Sequence, residues 1–185
     1  MARCRYLLAA LLAATSFPAF AGVIVLGSSS ARLCYEAADA PVRPTPRDLA
    51  LCDEALGEPG ISHHDYVATF VNRGILRLRR GLVEESIGDF DRAMALDPNQ
   101  PEAYLNKGAA LIARNDMQGA LPLFTVALER RTNRPAIAHF GRAIANETLG
   151  NVVAAYRDYR RASELDPDWA DPRTELRRFR VTGQQ

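Results

Sequence analysis

The chain has 185 residues, enough for one domain or two small ones, and its charges nearly cancel: 23 Lys and Arg against 22 Asp and Glu. Apolar residues make up 48% and charged residues 24%, the composition of an ordinary globular protein. That balance excludes a nucleic-acid binder living on bulk positive charge and a disordered acidic or basic tail. Three cysteines are too few for a disulfide-dense miniprotein. A single lysine, Lys107, among so many arginines, together with abundant alanine, reads as the codon bias of a GC-rich bacterial genome.

Residues 1–21 read as a secretory signal peptide. A basic start, Met-Ala-Arg-Cys-Arg, leads into the apolar run Tyr6 to Phe20, and Ala19-Phe20-Ala21 supplies the small-residue cleavage pattern before Gly22. The run is short for a bilayer span and Pro18 breaks it, although an uncleaved anchor is the alternative because apolar residues continue to Leu26. Cys4 precedes the apolar run, so lipidation is not expected. The expected location is therefore the bacterial periplasm or the exterior, with no stable membrane span after cleavage.

Residues 22–28 read as a loose or strand-like leader with no assigned role. Ser30 to Ala40 predicts a helix with Ser29 or Ser30 as its cap, and three prolines between Pro41 and Pro46 break it. Asp48 to Leu56 predicts a second helix, and 57–65 a connecting loop. Within that loop, His63-His64-Asp65 carries metal-ligand residue types. Adjacent histidines do not easily face one metal, and no second cluster completes a ligand set. The expectation is a surface loop with Asp65 capping the next helix.

From there the chain repeats itself. Phe90-Asp-Arg-Ala93, Phe124-Thr-Val-Ala127 and Tyr159-Arg-Arg-Ala162 each place alanine three residues after an aromatic, and the aromatics are 34 and 35 residues apart. Gly74, Gly108 and Ala143 lie at one fixed distance upstream of these aromatics, and Ser86, Ala120 and Ala155 at another. Pro98 and Pro167 close two of the three units. Residues 170–181 predict a final polar helix, with Asp171 as cap and Pro172 in its first turn. Leu176 and Phe179 share one face of it, and its arginines are a solvated surface rather than a nucleic-acid patch. Asn146-Glu147-Thr148 matches a glycosylation acceptor but falls inside a predicted helix. No nucleophile elbow, phosphate loop or zinc-binding helix motif appears, so no catalytic residue, cofactor or metal site is read and the chain is not expected to be an enzyme.

This phased set of small and aromatic residues resembles the tetratricopeptide repeat, a helix–turn–helix unit of 34 residues. The resemblance implies an all-α solenoid: residues 1–21 signal peptide, 22–66 leader and degenerate helix pair, three repeats at 67–100, 101–135 and 136–169, and 170–185 a capping helix and tail. Three departures stand out. Arg77 occupies a usually apolar position, Thr132 stands where the second repeat lacks its proline, and His139 and Asn146 replace apolar residues in the third. The resemblance also places Cys52, followed by Ala55, at the aromatic position of the N-terminal pair, and Cys34 near the small residue that faces it. A Cys34–Cys52 disulfide is therefore expected, worth about 3 kcal/mol on the chain-entropy estimate. Two buried free thiols are the alternative if the chain stays in a reducing compartment.

Family members bind partners in a concave groove lined by each pair's first helix. Carried over by position, that groove holds Val71, Asn72, Ile75, Leu78 and Arg79 from the first repeat, Leu105, Asn106 and Ile112 from the second and Phe140 from the third. The amides of Asn72 and Asn106 suit the N–H and C=O of an extended peptide. The Lys and Asn pattern with which some members grip a C-terminal carboxylate is absent. The expected function is non-catalytic: an exported adaptor that binds a protein or peptide, not nucleic acid. The alternatives are a homo-oligomeric assembly module of the cell envelope, or a groove partly filled by the chain's own elements.

Overall fold

The computed structural model describes residues 22–27 and 29–179; the proposed signal peptide, residues 1–21, lies outside them. Among the described residues the regular structure is all α-helical: α1 Ser29–Asp39, α2 Pro46–Gly57, α3 His63–Arg79, α4 Val83–Leu96, α5 Pro101–Ala113, α6 Met117–Glu129, α7 Pro135–Thr148, α8 Val152–Leu165 and α9 Ala170–Leu176. Successive helices pair as hairpins, and the first helices α3, α5 and α7 also touch one another, which builds one continuous face from them. The helix α1 packs on α3 more extensively than α3 does on α5.

The turn inside each repeat is closed in the same way. Gly81, Asn115 and Gly150 hold equivalent places, and all have positive φ (82°, 65° and 83°). The following N–H then reaches back five residues. Leu82 donates to the Arg77 carbonyl at 2.9 Å, Asp116 to Leu111 at 2.8 Å and Asn151 to Asn146 at 2.8 Å. These are Schellman closures, which satisfy carbonyls at the helix end and favour Gly or Asn at the left-handed residue.

Between repeats the device changes where the sequence does. The helices α4 and α8 end at extended Asp97 and Asp166, each followed by proline. The helix α6 lacks that proline and ends with Arg131 at φ 59°, with the Thr132 N–H bonded to the Ala127 carbonyl at 3.0 Å. A left-handed closure thus replaces the proline stop, and it accounts for the extra residue in the second repeat.

The small residues hold space for rings. A Cβ on Gly74 would come within 2.4 Å of the Phe90 ring, and one on Gly108 within 2.9 Å of Phe124. Gly141 of the next repeat closes on the other side of Phe124, at 2.4 Å from its ring. Phe90, Phe124 and Tyr159 are accordingly buried. Close approach of two helices around one ring is what the small-residue spacing encodes, and a ring so enclosed has no room to shift.

Polar pairs reinforce the same register. Arg73 on α3 grips Asp89 on α4, Nε to Oδ2 at 3.1 Å and Nη2 to Oδ1 at 2.6 Å. Arg142 on α7 grips Asp158 on α8 in the same bidentate way, both contacts at 2.8 Å. The cation at this place also reaches the preceding pair: Arg73 to Asp53 at 2.6 Å, Lys107 to Asp91 at 2.5 Å and Arg142 to Thr125 at 3.3 Å. The three acceptors each directly follow Cys52, Phe90 and Phe124, so α1–α2 is in phase with the repeats. The unusual residues fit this network. Arg77 adds a bond to Asp89 at 2.6 Å, and His139 Nδ1 lies 2.8 Å from Asp158 Oδ1.

At the N-terminal pair, α2 begins with Pro46 in its first turn and a capping box. The Thr45 N–H donates to Asp48 Oδ2 at 2.6 Å, and the Asp48 N–H to Thr45 Oγ1 at 3.4 Å. A disulfide joins Cys34 on α1 to Cys52 on α2, both fully buried. At the other end α9 is shorter than expected. It stops at Leu176, and its N-cap position is Trp169, with no side-chain cap; Asp171 sits instead in the first turn and accepts from Trp169 Nε1 at 3.1 Å. Phe179 lies beyond the helix, with its ring 5.8 and 5.9 Å from those of Tyr156 and Tyr159.

Candidate partner-binding groove

The face built by α3, α5 and α7 is not bare. Residues 22–27 run along it as a segment outside any helix or sheet among the described residues. Val23 and Val25 are buried, while Ile24 is 59% and Leu26 84% exposed, the two-residue alternation of a β-conformation. Asn72, buried on α3, spends its whole amide on one leader residue. The Val23 N–H donates to Asn72 Oδ1, and Asn72 Nδ2 donates to the Val23 carbonyl, both at 2.9 Å. This is the two-point backbone contact expected of that amide, made here to the chain's own segment.

Asp65 holds the other end. It is the third residue of α3, not its cap: Ser62 caps the helix, with Oγ accepting from the Asp65 N–H at 3.0 Å. The freed carboxylate accepts the Leu26 N–H at 3.0 Å and lies 3.2 Å from His64 Nδ1. Burial works against its charge, but the bonds from Leu26, His64 and Ser62 prevail and hold the carboxyl below its usual range. A Cβ on Gly27 would stand 2.4 Å from Asp65 Oδ2, so a side chain here would have to push the carboxylate aside. His64 thus serves the leader's anchor, and no group of three or more potential metal ligands occurs among the described residues.

The remaining groove residues divide by burial. Val71, Ile75 and Leu105 are fully packed in the core, and Asn106 is buried. Phe140 is buried with its ring 4.6 Å from that of Trp169 and 5.5 Å from that of Tyr159. Leu78 and Ile112 are half-buried against the core. Arg79 turns away to the N-terminal pair: Nη1 donates to the Ala38 carbonyl at 3.0 Å, and Nη2 to that of Val42. Beside the leader a shallow cavity of about 370 Å³ opens between Val23, Ile24, Leu26, His64, Gln100, Glu102 and Asn133. Glu102 shapes its far wall, accepting from the Asn133 N–H at 3.0 Å and Thr132 Oγ1 at 3.3 Å.

Sequence reasoning missed the leader's docking. Its signal was the short, β-branched apolar run Val-Ile-Val-Leu between two glycines, a strand-like stretch in a helical protein. It also missed the arginine–aspartate pairs, whose signal was a recurrent sixteen-residue spacing at Arg73–Asp89 and Arg142–Asp158.

Comparison with known proteins agrees with this geometry. Residues 71–135 match the tetratricopeptide repeat family pattern. No curated protein sequence matches the chain significantly. Among solved structures, a double mutant of MamA superposes with TM-score 0.64 at 19% identity, over 80% of this chain and 82% of that one. The first tetratricopeptide repeat domain of Spaghetti (RPAP3), bound to an HSP90 peptide, gives 0.57 at 23% identity, over 60% of this chain and 88% of that one. PilW, a type IV pilus biogenesis factor, gives 0.60 at 21% identity, over 70% of this chain and 58% of that one. The repeat period, the ring-in-glycine helix pairs and the matched pattern converge: residues 71–135 carry tetratricopeptide repeat sequence, and the solved structures share the helical-repeat fold.

Proposed function

We propose that this protein is a non-catalytic adaptor that binds an extended segment of another protein along the face of α3, α5 and α7. The observation that carries the reading is the Asn72 clamp: this face holds an extended backbone by both its N–H and its C=O. Such contacts read backbone shape, so affinity comes from the main chain and selectivity from side-chain pockets. The cavity beside the leader supplies one such pocket. The Spaghetti domain's HSP90 peptide supports peptide binding by this fold, without naming the ligand here. Export to the bacterial periplasm or exterior is part of the proposal. Its supports are the basic-then-apolar start with Ala19-Phe20-Ala21 and the Cys34–Cys52 disulfide, a bond that persists in oxidising compartments.

The test is crosslinking capture from envelope extract with the parent chain and an Ala109→Arg/Ile112→Glu variant. Ile112 is a groove position and Ala109 lies three residues before it on the same helix; both are only half-buried, so the variant should keep its circular dichroism. A protein captured by the parent and lost with the variant supports the groove. Equal capture by both moves the contact elsewhere. Self-assembly is the second reading, favoured by exposed Leu149, Val152 and Val153 around the α7–α8 turn. A mass that rises with concentration, and that falls to monomer in Val152→Ser/Val153→Ser, would establish it.

A further inference from the structure

We propose that residues 22–27 are a built-in, displaceable occupant of the groove: they close the first repeat's peptide site until a partner segment of the same chemistry takes their place. The inference rests on the adaptor reading and adds to it the form of the ligand and the control of access. Three features of the leader are those of a bound peptide rather than of a core element. It is extended beside helices, with no neighbouring strand among the described residues. It is held by three backbone bonds from two side chains, Asn72 and Asp65. It buries only Val23 and Val25 and leaves Ile24 and Leu26 in solvent. A core strand would bury its backbone in a ladder and one whole face in a sheet.

The contacts also define what can replace it. Asn72 requires an extended backbone with a free N–H, which excludes proline at the clamped residue. The buried alternate positions take small β-branched side chains. The Asp65 carboxylate takes a backbone N–H, and glycine beyond it, as at Gly27, leaves that carboxylate in place. The displacing ligand is therefore an uncharged extended segment of the pattern Val-x-Val-x-Gly, running on into the cavity beside Gln100 and Asn133. Tethering favours the resident copy. Gly27 lies two residues before the start of α1 at Ser29, and short tethers give effective concentrations in the millimolar range. A weakly binding internal segment thus excludes ligands that are themselves weak, and yields to those that reach the cavity as well.

The probe is a fluorescent peptide Gly-Val-Ile-Val-Leu-Gly carrying a two-lysine solubility tail. Proteins are produced from the full sequence as parent, as Val23→Asp/Val25→Asp, and as that variant with Asn72→Ala added. The charged leader should leave the groove, so the double variant should bind the peptide at least about tenfold tighter than the parent, as loss of a tethered competitor requires. Adding Asn72→Ala should remove that binding. Equal affinity of parent and double variant, or no binding by a double variant of native circular dichroism, overturns the proposal. A second reading uses the unmutated chain: excess free peptide should speed hydrogen exchange at the Val23 and Leu26 amides, and unchanged exchange overturns the proposal. If these tests fail while the parent still captures a partner lost with Ala109→Arg/Ile112→Glu, the internal occupant falls and the adaptor stands. Failure of both removes the groove as a binding site.

Discussion

The N-terminal pair α1–α2 and the repeat pair α3–α4 solve one problem by different chemistry. In α3–α4, Phe90 fills the slot that Gly74 opens, and the two helices are held by packing. In α1–α2, Cys52 stands at the place of Phe90, and a covalent bond to Cys34 crosses the slot. The polar contact beside the slot is kept in both: Asp53, next to Cys52, is gripped by Arg73 as Asp91, next to Phe90, is gripped by Lys107. Register is thus set by the charged pair, and the slot can be filled by whatever joins two helices. Among the described residues α1–α2 has a neighbouring pair on one side only, so it has less packing to lose and more to gain from a bond that does not depend on burial.

The largest effect expected from breaking this comparison lies in the packed pair. Phe90→Ala should destabilise the folded chain by about 3–5 kcal/mol, since the ring is fully buried and glycine-lined walls cannot collapse onto the space left. A denaturant melt followed by circular dichroism reads it. Repeats couple mainly to their neighbours, so loss should spread through α3–α6 before it reaches α9.

Reduction should act on the other member of the comparison. Cys34→Ala/Cys52→Ala closes no loop, and the eighteen-residue separation makes the bond worth about 3 kcal/mol. The loss should appear as early hydrogen exchange in α1 and α2, with α5–α8 protected as before. Uniform loss of protection along the chain would mean that the terminal pair nucleates the stack rather than capping it.

The third prediction concerns charge. Burial opposes ionisation of Asp158, but His139 and Arg142 outweigh it and hold the carboxyl below the usual 3.8. A depressed pKa stabilises the fold fully above the unfolded value and loses that stabilisation as pH falls through the folded value. Asp158→Asn should therefore cost about 2 kcal/mol at pH 7, the range for hydrogen bonds to charged groups. The gap between parent and variant should close as pH drops below 3.8. A gap that persists in acid would assign the effect to shape rather than charge.

How much of this was legible follows from the range of the signals. The repeat phase was readable because each small residue and each ring sits at a fixed distance along one helix pair. Thr132 was readable as a departure, but not as a new turn, since a left-handed residue is open to several side chains. Arg77 and His139 looked like misfits because each was judged against an apolar pattern, while their partners Asp89 and Asp158 lie on the next helix. The leader was readable as strand-like, but its docking site was not, for the opposite reason. Its partners Asn72 and Asp65 are 49 and 39 residues away, with no periodic relation to it.

The smallest effect tests the turn that the second repeat improvises. Arg131 holds φ 59°, a conformation that strains any residue with a Cβ, whereas the equivalent interhelical turns after α4 and α8 use proline and carry no such residue. Arg131→Gly relieves that strain but loosens the unfolded chain, and the two terms oppose each other. Left-handed strain is the larger, at about 1–2 kcal/mol against about 0.4–1 kcal/mol for backbone entropy, so the variant should gain about 0.5 kcal/mol. The measurement is the denaturant midpoint at an unchanged slope. Thr132→Pro should do the reverse, although proline is the residue the family places there. The Thr132 N–H already serves the Ala127 carbonyl at 3.0 Å and the Thr132 hydroxyl bonds to buried Glu102, so proline would remove both. Restoring the family residue is therefore expected to weaken this repeat, because the chain around position 132 has committed to the other way of ending a helix.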